Sequence, residues 1–395
     1  MGSLAAYEGR FFLASPSGLA FLHSGGDRLC LDPRKIWKVG YKPNGKQDVR
    51  YTGRWVQYLY GNGSGQWYKH NYSDASDPLA KLSDEEFDEL TRYTGAVINR
   101  DFLLVPCGQC IECRLNYSRN WATRMCLEKE YHDRWCFVTL TYDNDHLDTI
   151  QRYHAADPET GEGCIPVLSL NYDDLKQFMK NLRRALEYRG RGHIRFYAGG
   201  EYGELHHRPH FHVIIFGLEV DDLEFLRKSK LGHPCYASNF LQKIWKKGQV
   251  IVNEASWDSC AYTARYVMKK KYGQASEFYE RFNIEPEKSR MSRVPGIARQ
   301  YFNEHKEDIY RFDELYLKCS GGGRTVRPPS YYDNLYGLEE PDAMEYVKAH
   351  RLLLVEEQEA FVRANTTLSY EERLAVKRDL YEKRALMLKR SNDDE

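Results

Sequence analysis

Residues 208–217 read RPHFHVIIFG, an apolar run of strand length that ends at Gly217. Successive side chains on a strand take opposite faces. His210, His212, Ile214 and Phe216 therefore share one face, and Phe211, Val213 and Ile215 take the other. Both faces are apolar apart from the histidine pair, which is the pattern of a buried strand. HIRFYAGGEYG at 193–203 reads as a strand entering a glycine-marked turn. The two segments pair as an antiparallel hairpin.

A lone buried histidine is usually a hydrogen-bonded core residue. Two on one face, two residues apart, can aim two nitrogens at one ion. The return of the hairpin carries His210 and His212 back past Glu201, which supplies a carboxylate. Two imidazoles and one carboxylate leave coordination positions open. With oxygen ligands from a phosphate and waters the set suits Mg²⁺ or Mn²⁺, and it also suits non-haem iron or catalytic zinc. Glu204, His206 and His207 lie in the turn and read as solvated competitors.

CFVTLTY (136–142) is a further buried strand, rich in β-branched and aromatic residues. Asn171 caps a helix whose apolar stripe is Leu175, Phe178, Leu182 and Leu186. NFLQKIWKKG is a short helix ending at Gly248, QVIVNEAS (249–256) a strand, and DSCAYTARYVMKK (258–270) a helix. This order predicts an α+β domain, an antiparallel sheet flanked by helices. At ~100° per residue Tyr262, Tyr266, Lys269 and Lys270 fall in one arc of the last helix. Cys260, Ala261, Ala264, Val267 and Met268 fall opposite. Tyrosines that pack a core belong on the apolar stripe, and these sit off it, beside lysines. A phenol has a pKa near ~10 and attacks poorly unless its developing charge is stabilised. Lysines and a metal-bound phosphate would do that.

The chain has 395 residues and a formal net charge of +0, so affinity for nucleic acid must come from local basic clusters. Arg183–Arg184, Arg189 with Arg191, Lys246–Lys247 and Lys269–Lys270–Lys271 supply them. No GxxxxGK[ST] motif is present, which excludes a P-loop motor within this sequence. No run is long and apolar enough to span a membrane. Ten cysteines lack the short, dense pattern of a secreted disulfide scaffold, which points to a reducing cytoplasm. Residues 1–27 read as an extension, and 40–76 as irregular strands and loops. Residues 115–131 have helical character, and 318–334 form a loop by composition. Residues 339–390 alternate charge and leucine as two peripheral helices. Ser83 with Glu86 and Ser369 with Glu372 have capping-box spacing. The expected regions are 1–27, 28–130 with the cysteine cluster, a core at 131–317, and a loop and helical tail at 318–395. Cys107, Cys110 and Cys113 have a spacing that can wrap zinc, or they form a turn with no ion.

PCGQCIECRLNYSRNWATRM, FVTLTYDNDH, GEYGELHHRPHFHVIIFG and AYTARYVMKK, in this order, carry a resemblance that runs from about residue 28 to about 310. The chain resembles the HUH endonucleases, named for histidine–hydrophobe–histidine. Within them it is most similar to the rolling-circle replication initiators of microviruses, gokushoviruses in particular. The resemblance implies metal ligands His210, His212 and Glu201, nucleophiles Tyr262 and Tyr266, and Thr139 and Thr141 lining the site. The lysines beside the tyrosines make Lys269 and Lys270 the charge-stabilising pair. Cys30, in an RLCLDP stretch that this family also carries, is the expected fourth ligand of one structural Zn²⁺ tying the N-terminal segment to the core. The implied reaction is nicking of single-stranded origin DNA through a 5′-phosphotyrosine, followed by rejoining into a circle. The partners would be single-stranded or supercoiled viral origin DNA, a host helicase and a host DNA polymerase, in the host bacterial cytoplasm. A plasmid initiator or single-strand transposase of the same superfamily would keep the chemistry. A non-catalytic zinc-dependent nucleic-acid binding protein would leave DNA intact.

Overall fold

The computed structural model describes residues 30–31, 34–41, 47–50, 54–59, 65–70, 96–98, 102–147, 151–153, 166–203, 207–229, 232–265, 277–319 and 322–390. Residues 1–27, the Ser83–Glu86 capping box, Glu204, His206, Tyr266, Lys269 and Lys270 lie outside them. The chain divides into two compact units, Met1–Cys110 with His350–Asn365, and Ile111–Ala349 with Thr366–Glu395. In the first unit, strands Arg34–Tyr41, Gln47–Arg50 and Phe102–Val105 form one three-stranded sheet, and Arg54–Leu59, Gly65–His70 and Ala96–Ile98 another.

A seven-stranded antiparallel sheet organises the second unit. Its strands are β1 (Trp135–Thr141), β2 (Arg195–Tyr202), β3 (Pro209–Phe216), β4 (Leu223–Lys228), β5 (Pro234–Ser238), β6 (Val250–Glu254) and β7 (Ser289–Met291). The spatial order is β4-β5-β6-β1-β3-β2-β7, so the histidine strand β3 lies inside the sheet between β1 and β2. The helices bear out the α+β expectation. On one face α1 (Ile111–Lys129) and α4 (Trp257–Arg265) bring Ala122, Met125, Cys260, Ala261 and Ala264 against Tyr197, Ile214 and Phe216. On the other, α2 (Tyr172–Tyr188) and α3 (Asn239–Trp245) pack Leu175, Phe178, Leu182, Leu241 and Trp245 against Val138, Leu140, Phe211, Val213 and Ile215. The alternation of β3 thus delivers its odd- and even-numbered residues to two separate cores. Full burial of such side chains is worth ~1.5–3 kcal/mol each.

Local signals act as expected at several ends. The Asn171 side chain accepts from Asp173 N–H at 3.1 Å and opens α2, whose stripe Leu175, Phe178, Leu182 and Leu186 is buried. Ser369 N–H donates to Glu372 Oε2 at 2.8 Å, and Glu372 N–H to Ser369 Oγ at 3.2 Å, a reciprocal capping box at the start of α8 (Tyr370–Arg390). α7 (Pro341–Ala364) is the other charged tail helix.

Three expectations are corrected. The stretch 318–334 is not a loop. Leu315–Cys319 pairs with Gly322–Val326, and α6 (Ser330–Glu339) follows α5 (Arg299–Phe312) and this hairpin. Its glycines mask a strand, paired from Leu315 opposite Val326 to Cys319 opposite Gly322. Helix α1 starts at Ile111, directly after the cysteines, and ends at Lys129. Helix α3 ends at Trp245 rather than Gly248, because Lys246 takes the left-handed C-cap conformation (φ 60°, ψ 8°).

Candidate active site

Register alone assembles the polar centre. Glu201 on β2 stands directly opposite His210 on β3, and His212 stands between Gly199 on β2 and Thr139 on β1. Opposed residues of an antiparallel pair share a face, so Glu201, His210, His212 and Thr139 project to the side covered by α1 and α4. Glu201 Oε2 lies 3.1 Å from His210 Nε2 and 3.1 Å from His212 Nε2. Ligand atoms from all three residues fall within 4.8 Å of one another. Glu201 and His212 are buried, 4% and 5% exposed, and His210 is half-buried toward the sheet end. Burial alone would raise the Glu201 carboxyl, but the bonds from His210 and His212 outweigh it and hold it well below the usual carboxylate range.

The outer ring nitrogens fix the imidazoles. His210 Nδ1 is 3.1 Å from the Arg208 carbonyl, which can only accept, so Nδ1–H donates to it and Nε2 is the ring atom turned toward Glu201. His212 Nδ1 is 3.2 Å from Thr139 Oγ1. Phe137, two residues before Thr139 on the same face, stacks on the His212 ring at 5.4 Å and 15°. Two imidazole nitrogens and a carboxylate, oriented from behind, fit a divalent cation. Thr141 stands opposite His210 on the same face, and its hydroxyl donates to the Gln249 carbonyl at 3.1 Å. His207 is exposed in the turn with φ 49°.

Helix α4 lays Tyr262 beside this centre. Its ring centroid is 5.3 Å from that of His212 and 6.3 Å from that of Phe137. Cys260, Ala261 and Ala264 are buried while Tyr262 is half-buried, as the sequence arc requires. The approach depends on Gly199. A Cβ there would meet the Thr263 carbonyl oxygen of α4 at 2.8 Å. Gly199→Ala should therefore push α4 outward and lower stability by ~1–3 kcal/mol, read as a lower denaturation midpoint. An unchanged midpoint would show that α4 does not rest on this strand. Among other tyrosines, Tyr197 shares the face of Glu201, whereas Tyr202 and Tyr172 pack on the opposite face of the sheet. Burial pushes the Tyr202 phenol up to about 12, and its hydroxyl donates to the Glu285 carbonyl at 2.6 Å. Burial likewise raises Tyr197 and Tyr172.

The sequence reading missed Phe137 and the Arg208 carbonyl. Phe137 carried a signal, since it alternates with Thr139 on CFVTLTY. A backbone carbonyl carries none.

A second cluster forms around the CGQCIEC block. Gly108 takes φ 72°, a left-handed conformation that glycine adopts without strain. This turn aims Gln109 N–H and Cys110 N–H at Cys107 Sγ, at 3.3 and 3.1 Å, and Cys107 N–H donates to Cys30 Sγ at 3.2 Å. The Cys30 and Cys110 sulfurs are 3.8 Å apart. Cys30, Cys107 and Cys110 thus bring three thiols together, their ligand atoms within 4.8 Å of one another, and Cys113 is the next cysteine along the chain. Four sulfurs at ~2.3 Å from one zinc sit ~3.8 Å apart at tetrahedral angles. The thiols and their amide donors therefore fit Zn²⁺.

Comparison with known proteins follows the same residues. The family model described as replication-associated protein ORF2/G2P matches residues 135–271, from β1 through the tyrosine helix. Replication-associated protein ORF2 of Spiroplasma virus 4 is 34% identical over 270 residues, covering 67% of this chain and 78% of the relative. Replication-associated protein VP4 of Bdellovibrio phage phiMH2K is 29% identical over 246 residues, 61% of this chain and 70% of the relative. Replication-associated protein ORF4 of Chlamydia phage 1 is 30% identical over 258 residues, 64% and 59%. No solved structure matches the chain. No described helix is long and apolar enough to cross a membrane.

Proposed function

Because this chain belongs to the family of viral replication-associated proteins, we propose that it initiates rolling-circle replication by nicking single-stranded origin DNA through tyrosine attack. The convergence of Glu201, His210 and His212 beside Tyr262 carries this reading. These three residues would hold Mg²⁺ or Mn²⁺. When bound, such an ion polarises the scissile phosphate and neutralises part of its charge. The phenolic oxygen of Tyr262 or Tyr266 attacks phosphorus, and Lys269 and Lys270 stabilise the negative charge of the attacking phenolate. The bond to the 3′-oxygen breaks, and that oxygen gains a proton to leave a free 3′-hydroxyl for a host polymerase. The 5′-phosphotyrosine keeps the phosphodiester energy. After one round the second tyrosine cuts the regenerated origin, and the new 3′-hydroxyl attacks the first link to close a circle. Unwinding would fall to a host helicase. The test is wild-type protein with single strands tiling the viral genome in Mn²⁺ or EDTA. The account expects one discrete, Mn²⁺-dependent cut with protein on the 5′ end. Bound but intact DNA in both conditions would favour a non-catalytic binding protein.

We further assign Cys30, Cys107, Cys110 and Cys113 to one structural Zn²⁺. Metal analysis of protein purified without chelators should find about one zinc per chain, and Cys107→Ser should remove it. A stably folded protein without zinc would contradict the assignment.

A further inference from the structure

Arg208 directly precedes the histidine strand β3, and its backbone and side chain have separate partners. The carbonyl accepts from the His210 ring at 3.1 Å and from Gly203 N–H at 3.0 Å. The side chain is half-buried, and its guanidinium donates to Asn144 Oδ1. Asn144 opens the short helix Asn144–Leu147, three residues past Thr141, the β1 residue opposite His210. The guanidinium is therefore held at the same end of the sheet as His210. That histidine is the most exposed member of the triad.

What this arginine lacks is an anion. Arg119, Arg195, Arg299 and Arg327 are each paired with a carboxylate, on Glu112, Glu128, Glu339 and Asp313. Among the described residues no carboxylate pairs with Arg208, and its Nε is buried without an acceptor. A guanidinium carries five donors. The Asn144 amide takes one of them and, being neutral, cancels none of the charge. A half-buried cation left unpaired is costly, so an anion would complete this site. A phosphate suits it, because the planar fork of an arginine matches two phosphate oxygens.

We propose that Arg208 binds the phosphate next to the scissile one in the DNA strand. Two residues of extended chain span ~7 Å, a step that also separates successive phosphates of an extended single strand. A strand with its scissile phosphate at the Glu201–His210–His212 centre thus brings a neighbouring phosphate to Arg208. The guanidinium, fixed by Asn144, then sets where the reacting phosphorus stands relative to Tyr262. The two roles of the residue are separable. Changing the side chain leaves in place the carbonyl that orients His210. The proposal rests on single-stranded DNA being the substrate of this centre.

The test is a fluorescence-anisotropy titration of full-length protein in EDTA, with labelled single strands that contain the nick site. In each strand one phosphate is replaced by a neutral methylphosphonate. For the wild type, neutralising a phosphate beside the cut should weaken binding about tenfold, the scale of one charge-assisted contact. Arg208→Ala should bind the unmodified strand about tenfold more weakly and lower the slope of log affinity against log salt by about 0.7. It should no longer respond to that methylphosphonate, a coupling that a purely structural role would not produce. Arg208→Lys keeps the charge without the fork, so it should keep the slope and recover part of the affinity. Matched melting curves establish that the variants fold, and Arg208→Gln replaces Arg208→Ala if the alanine variant melts early. The same methylphosphonate profile for wild type and variant, or a coupling far from the cut, would overturn the proposal. Failure of the wild type to nick any strand, with the coupling intact, would instead overturn the nickase reading and leave the arginine contact standing.

Discussion

His210→Ala and His212→Ala will each reduce nicking of origin DNA by more than about 100-fold while single-strand binding stays near wild type. Groups that merely orient a metal ligand are worth about 10–100-fold, so removing the ligand itself should cost more. Both imidazoles share one oxygen of Glu201 at 3.1 Å, so neither can take over the other's position. Binding should persist because it rests on basic and aromatic contacts outside the triad. Thr139→Val, which removes the hydroxyl 3.2 Å from His212 Nδ1 and keeps the bulk, should fall about 10–100-fold. Nicking rates under single-turnover conditions in Mn²⁺ measure all three. Full activity of the double alanine variant would remove the triad from the mechanism.

Changing one tyrosine of the helix will separate cutting from joining. Tyr262→Phe or Tyr266→Phe should leave some nicking but block closure of a completed circle, since one phenol cannot hold the old link and make the new cut. The double change should abolish the covalent adduct. Lys269→Ala or Lys270→Ala should slow attack by roughly 100-fold, the scale on which one charge-stabilising group matters, and leave the adduct in the same place. Labelled origin strands run on denaturing gels read adduct and circle separately. Efficient circle formation by a single Phe variant would contradict the shared role. The packing of Tyr262 supports this reading, because α4 buries Cys260, Ala261 and Ala264 and holds the tyrosine at the His212 ring.

The polar centre was legible because it is written in short-range periodicity. A two-residue spacing puts His210 and His212 on one face, and a hairpin returning through a glycine-marked turn brings them to Glu201. The Asn171 cap and the stripe of α2 are equally local. The edge strand β4 was not legible, since all six of its residues are exposed and no burial imposes alternation. The hairpin at 315–326 was hidden by glycines that composition assigns to loops. The contact that positions the tyrosine helix is out of reach of any local pattern. Gly199 admits the Thr263 backbone across more than sixty residues of chain, and nothing around Gly199 says which helix will arrive. The Trp245–Thr141 bond that ties α3 to the end of β1 is long-range in the same way.

The central claim is that a tyrosine beside the Glu201–His210–His212 centre becomes covalently joined to DNA. The most direct measurement is mass-spectrometric mapping of the protein–DNA adduct, after wild-type protein has reacted with origin single strand in Mn²⁺ and the DNA has been digested to a short remnant. The account predicts a nucleotide remnant on Tyr262 or Tyr266, absent in EDTA and absent from the His212→Ala variant. A remnant on any residue outside 258–270, or cut DNA with no remnant on the protein, would contradict it.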